Sequence, residues 1–317
     1  MPSPITVLSG NIIESFEKAS ESSLAMHLKA VSSGQIKPYI DYDNGNDAAR
    51  GPHADLSTKR IYLQETYLEY LWAFIYSVFV MYEEGIQKRL INQNFSGSLV
   101  FDTEILQRAK ALYDWSISLA DKKSNWDVDL PNPQKHLNDL EKVYTEKVNG
   151  IFSKSISYVL FHEFCHLTQG HQSYFLGVNL KYLTEADYAD RIQLENEADE
   201  FAFNMIVDSN GDEKSRWIIG LSVLFATSST LLLTRSAGGI KQRSHPDLDT
   251  RLHTILEKLD LQSGQSQFYC WYLCCFAVNL YLLKHGVTHG QETYDTAEDC
   301  FFGYLEKLDE IKMGESV

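Results

Sequence analysis

A mainly helical fold with a small β-sheet in its N-terminal third is what the amino-acid order predicts. Helical segments dominate from residue 138 onward. Apolar–polar alternation is confined to short stretches at 38–42 and 60–63. No internal repeat, low-complexity tract or linker-like change of composition divides the 317 residues, so one domain over 1–317 is the simplest organisation.

Residues 1–56 read as a less regular segment, punctuated by Gly34, Pro38, Gly45, Gly51 and Pro52. Short strands are expected at 38–42 and 60–63. Residues 67–90 predict a long helix with a strongly aromatic face, and 103–120 another. Asn125, Pro131 and Pro133 mark a loop over 122–135. Helices follow over about 138–170, 184–208, 213–235, 247–259, 266–284 and 293–312.

The net charge of −15, without a lysine–arginine cluster, argues against a nucleic-acid or anionic-membrane surface. The cysteines are Cys165, Cys270, Cys274, Cys275 and Cys300: an odd number, three of them crowded into one apolar stretch, with no C-x-x-C pair. That usage fits reduced thiols in a cytoplasmic protein. No basic start followed by an apolar run marks a signal peptide. Residues 217–234 are free of charge, but Ser228, Ser229 and Thr230 at their centre fit a buried core helix better than a membrane span.

The chemistry is concentrated in residues 162–166, His-Glu-Phe-Cys-His. On a helix, positions i and i+4 share a face, so His162 and His166 can offer their rings to one metal ion. Glu163 then lies beside the metal, where a carboxylate can take a proton from a metal-activated water. The competing reading is a pair of ordinary histidines on an ordinary helix. Tyr158, Val159, Leu160, Phe161, Phe164 and Leu167 surround the motif with apolar residues, and unpaired buried histidines are costly. Gly170 offers a helix stop. Cys165 points about 100° away from His166 on a helical wheel, which suits core packing.

Catalytic zinc usually has three protein ligands and one open position. His171 stands five residues past His166, a spacing that does not match a third histidine ligand on this segment. The next helix offers a better candidate. Glu195, Ala198, Asp199 and Ala202 fall on one face, and the two alanines permit a close helix approach. Glu195 can then reach the metal, while Asp199 accepts the second ring N–H of a ligand histidine. The alternative is a solvated acidic face. Residues 245–252, His-Pro-Asp-Leu-Asp-Thr-Arg-Leu, form a third constellation. His245 is either a donor to the oxyanion formed at an attacked carbonyl or a loop histidine before a capping proline. Arg251 can anchor Asp199.

These motifs, H-E-x-x-H, then E-x-x-A-D, then H-P-x-x-x-x-R-L, resemble the gluzincin metallopeptidases. The aromatic run 67–74, the spacing from His162 to His171 and the Ser244-His245-Pro246 triplet resemble, more closely, the family of the phage-exclusion peptidase Lit. The resemblance spans about 57–255. It implies a zincin-like metallopeptidase core at about 138–255, one Zn2+ on His162, His166 and Glu195, and Glu163 as catalytic base. It further implies a cytoplasmic protein substrate, with elongation factor Tu, the target of Lit itself, as the candidate and a phage peptide as activator. The resulting expectation is a zinc endopeptidase acting on a protein or peptide drawn along an edge strand near 60–63. Its rival is a catalytically silent, zinc-stabilised module that binds a phage or host protein.

Overall fold

The computed structural model describes residues 3–38, 40–43, 47–171, 174, 183–207, 211–287 and 292–314. A 3-10 turn at Pro4–Leu8 leads into helices α1 (Ser9–Glu17) and α2 (Ser23–Ser32). These two helices depart from the irregular segment expected over 1–56. Both are short and serine-rich, and each anchors few side chains; α1 buries only Ile12 and Phe16. The Phe16 ring packs at a tilt against Phe161, centroids 4.5 Å apart, so tertiary packing rather than local propensity stabilises α1.

Three strands follow: β1 (Asp41–Asp43), β2 (His53–Asp55) and β3 (Arg60–Gln64). Their order is β1-β3-β2, with β1 parallel and β2 antiparallel to β3. The strand expected at 60–63 is therefore the middle one. Both its edges are filled, so an added peptide cannot pair there and must use β2 or β1. β2 itself escapes sequence reading because His-Ala-Asp carries no alternating apolar pattern.

β3 runs directly into α3 (Glu65–Tyr82), where the buried Gln64 side chain accepts from Arg50 N and donates to Ala48 O. Every residue from Thr66 to Tyr82 is buried. A helix apolar on all sides belongs at the centre of the core, and α3 lies there. It passes through a π turn at Glu83–Gln87 into α4 (Lys88–Ile91), ending the single helix expected over 67–90. α5 (Glu104–Ser118) packs along α3.

The long helix α6 (Asp139–Thr168) starts at Asn138, whose side chain accepts from Glu141 N. It packs against α1, α3 and the next two helices, α7 (Glu185–Ile206) and α8 (Glu213–Leu233). The chain closes with α9 (Leu248–Leu259), α10 (Gly264–Lys284) and α11 (Ala297–Lys312). By length and composition both α8 and α10 could cross a membrane, whereas the sequence had singled out only 217–234. In each, 67% of the apolar window is buried inside the protein, the environment of a core helix.

Candidate active site

Helix periodicity brings Tyr158, His162 and His166 to one face of α6, and α7 lies across that face. The close approach rests on Ala198 and Ala202, both with no exposed surface. Phe201 stacks on Phe164 and meets Phe161 edge-on, fixing the two helices in register. Glu195 and Asp199 therefore face the two histidines across the helix pair.

The three expected ligand atoms converge. His162 Nε2 lies 3.1 Å from Glu195 Oε2 and 3.2 Å from His166 Nε2, and His166 Nε2 lies 3.6 Å from Glu195 Oε2. All three residues are buried, and they form a group able to hold a metal ion. Two ligands about 2.0–2.1 Å from one ion at the tetrahedral angle stand about 3.3–3.4 Å apart. The observed triangle has that size, and a point about 2.0–2.1 Å from all three atoms lies just outside its plane.

Hydrogen bonds from behind set the ring tautomers, read here from the partners each nitrogen meets. Asp199 Oδ1 is 2.9 Å from His162 Nδ1; an ionised carboxylate only accepts, so Nδ1 carries the proton and Nε2 faces the site. Arg251 grips Asp199 with two bonds, Nε to Oδ2 at 2.7 Å and a terminal nitrogen to Oδ1 at 2.6 Å. Tyr158 adds a third donor at 3.2 Å. Burial works against the charge on Asp199, yet Arg251 and His162 hold its carboxyl well below the usual range.

His171, which its spacing sets aside as a ligand, acts on the other ring. Its Nδ1 is 2.9 Å from His166 Nδ1. If His166 turns a free Nε2 toward the site, its Nδ1 donates and His171 Nδ1 accepts. The remaining proton of His171 then sits on Nε2, 3.4 Å from Glu197 Oε2. Burial and the adjacent His166 ring both lower the His171 pKa, as a neutral acceptor requires. Gly170 makes this contact, because its φ of +87° turns the chain back once α6 ends.

Charges at the centre are strongly coupled. Burial alone would lower the His162 pKa, but its hydrogen bonds to Asp199 and Glu195 outweigh this and raise it to about 10. Burial likewise opposes the charge on Glu195, which His162 and His166 nevertheless keep ionised far below the carboxylate range. Cys165 points into the core, where burial pushes its thiol up to about 12.

Glu163 is half-buried beside the triangle, and its Oε2 accepts the backbone N–H of Ala54 on β2 at 2.6 Å. Ala54 is thus at a non-hydrogen-bonded position of the β2–β3 pair, facing away from β3. This main-chain partner is invisible in the side-chain sequence. Burial raises the Glu163 pKa, and the two histidines oppose the rise.

His245 is half-exposed on the far side of Glu195, with Nε2 3.5 Å from Glu195 Oε1 and Nδ1 3.0 Å from Ser244 Oγ. Burial lowers its pKa, and the Glu195 carboxylate opposes the shift. The structure therefore brings together His162, Glu163, His166, Glu195, Asp199, His245 and Arg251, from α6, α7 and the segment entering α9.

The model of the family described as peptidase U49 matches residues 61–274, a span that holds every one of these residues except the Ala54 amide. No curated protein and no solved structure matches the chain. The match covers more than half of the 317 residues, and the chain belongs to the peptidase U49 family.

Proposed function

We propose that this peptidase is a zinc-dependent endopeptidase of the gluzincin type, with His162, His166 and Glu195 as the metal ligands. The observation that carries the reading is the triangle of ligand atoms with Glu163 standing beside it. Two imidazoles and one carboxylate suit zinc, and their spacing suits tetrahedral coordination. Zinc held there supplies Lewis acidity, acidifying a water and polarising the carbonyl to be cleaved.

The chain's own groups do the rest. Glu163 takes the proton from the attacking water and later delivers it to the departing amine. Burial raises its pKa, which makes it a stronger base toward the water. Its bond to Ala54 fixes the carboxylate's direction. His245, at the mouth of the site, donates to the oxyanion that develops on the carbonyl. Asp199, Arg251 and His171 keep the ligand rings turned inward. The N–H and C=O of a strand residue point the same way, so the Ala54 carbonyl faces the site edge and can receive an extended substrate's N–H.

The family resemblance adds a setting: the bacterial cytoplasm, phage exclusion, elongation factor Tu as target and a phage peptide as trigger. None of these has a recognisable counterpart in the site's geometry, and they rest on the resemblance alone.

The test pairs the wild type with Glu163→Gln in cells, with and without phage challenge, and compares new terminal peptides by mass spectrometry. Both proteins should purify with one zinc per chain. New termini should appear with the wild type and fall by at least about a hundredfold with the variant. Equal cleavage by the variant defeats the mechanism. A zinc-loaded wild type that cleaves nothing in either condition favours the silent binding module instead.

A further inference from the structure

Cys275 and Cys300 meet where α10 packs against the first turn of α11. Cys275 Sγ donates to the Ala297 carbonyl at 3.5 Å, and Cys300 lies one helical turn further along the same face. The two side chains are close enough to shift each other's titration, and neither is in a disulfide. They differ in access. Cys275 is 3% exposed, whereas Cys300 lines an open cavity of about 530 Å³ walled by Phe268, Trp271, Tyr272 and Tyr294.

That asymmetry divides the chemistry. Cys300 is in the first turn of a 16-residue helix, where unpaired backbone N–H groups favour a thiolate. The neighbouring Cys275 side chain lowers the Cys300 pKa, against the effect of burial. Glu292, Asp295 and Glu298 on the cavity wall work the other way, so Cys300 is a tempered nucleophile. Burial holds Cys275 in its protonated form. Cys165, Cys270 and Cys274 are buried, and none of them lines the cavity that Cys300 faces.

We propose that Cys275 and Cys300 are a peroxide-oxidisable dithiol that closes into a disulfide stapling α10 to α11. The Cys300 sulfur attacks the peroxide O–O bond, an S–O bond forms, and one oxygen leaves as water. The Cys275 sulfur then attacks Cys300, the S–S bond forms and the S–O bond breaks. The second oxygen leaves as water with the Cys275 proton. Two thiols are oxidised by two electrons and the peroxide is reduced by two.

The experiment exposes the full, metal-loaded chain to hydrogen peroxide after removal of reductant. Wild type, Cys275→Ser and Cys300→Ser are compared by intact mass and by fragmentation of cross-linked peptides. The wild type should lose two hydrogens through a Cys275–Cys300 cross-link that dithiothreitol reverses, and its Tm should rise. Cys275→Ser should stop at a sulfenic acid on Cys300 that dimedone traps, and Cys300→Ser should form no cross-link. A cross-link through another pair, or a wild-type Cys300 that stays reduced or goes to sulfinic acid uncross-linked, overturns the proposal. The wild-type peptide map decides the matter even if a serine variant fails to fold.

Discussion

His162 holds the most consequential proton in the site. With no ion bound, its pKa of about 10 keeps a second proton on the ring throughout the neutral range. Nδ1 must keep its proton for Asp199, so an incoming cation displaces the one on Nε2. A raised pKa means that this proton leaves more easily as pH rises toward 10. Zinc affinity should therefore increase between pH 6 and 8 by about tenfold per unit for the one proton released. Competition titration with a chromophoric chelator measures it, and a pH-independent affinity would contradict the assignment. The pairing of His162 with His166 on one face was legible in the sequence because i, i+4 spacing is local. Glu195 was legible because its own helix carries the face pattern. The partner of Glu163 was not, since it is a main-chain N–H 109 residues away. The spacing of His171 sets it aside as a metal ligand, and its contact is with the Nδ1 side of the His166 ring.

Helices were legible where they are long and periodic, and α5 through α11 lie within a few residues of their expected bounds. α1, α2 and β2 were not, because short segments with few anchoring side chains take their form from what they pack against. Among the long helices, the close approach of α8 to α9 has a definite cause. A Cβ on Gly220 would come within 2.3 Å of Leu259 Cδ2 and 2.8 Å of Cδ1, and Leu259 has no exposed surface into which to swing. Gly220→Val should destabilise the fold by about 1–3 kcal/mol, read from urea unfolding. Since α9 carries Arg251, the same variant should also weaken the brace on Asp199. A valine accommodated at no cost would show that the two helices can separate freely.

Across the whole molecule, the C-terminal helix reaches back to the segment that carries His245. Lys312 is almost buried and pairs with Asp249 at 2.6 Å, Asp309 at 3.1 Å and Asp247 at 3.2 Å. Asp247 in turn accepts from Gln242 N, closing the loop around His245. These acids raise the Lys312 pKa against its burial. Lys312→Met leaves the buried Asp249 without its cation and should cost about 3–5 kcal/mol in denaturant unfolding. A neutral result would show that the Lys312–Asp249 pair adds nothing to stability. α11 lies beyond the residues matched by the family model, so an element outside that match braces one within it. The Ala54 amide likewise lies outside the match, and it has a consequence for genetics. A saturation scan reads side chains, and the Ala54–Glu163 bond uses none. Serine, threonine or valine at position 54 should score as silent, and proline, which has no N–H, should score as a loss of activity. A catalogue built on side-chain replacements would thus pass over a contact that orients the Glu163 carboxylate.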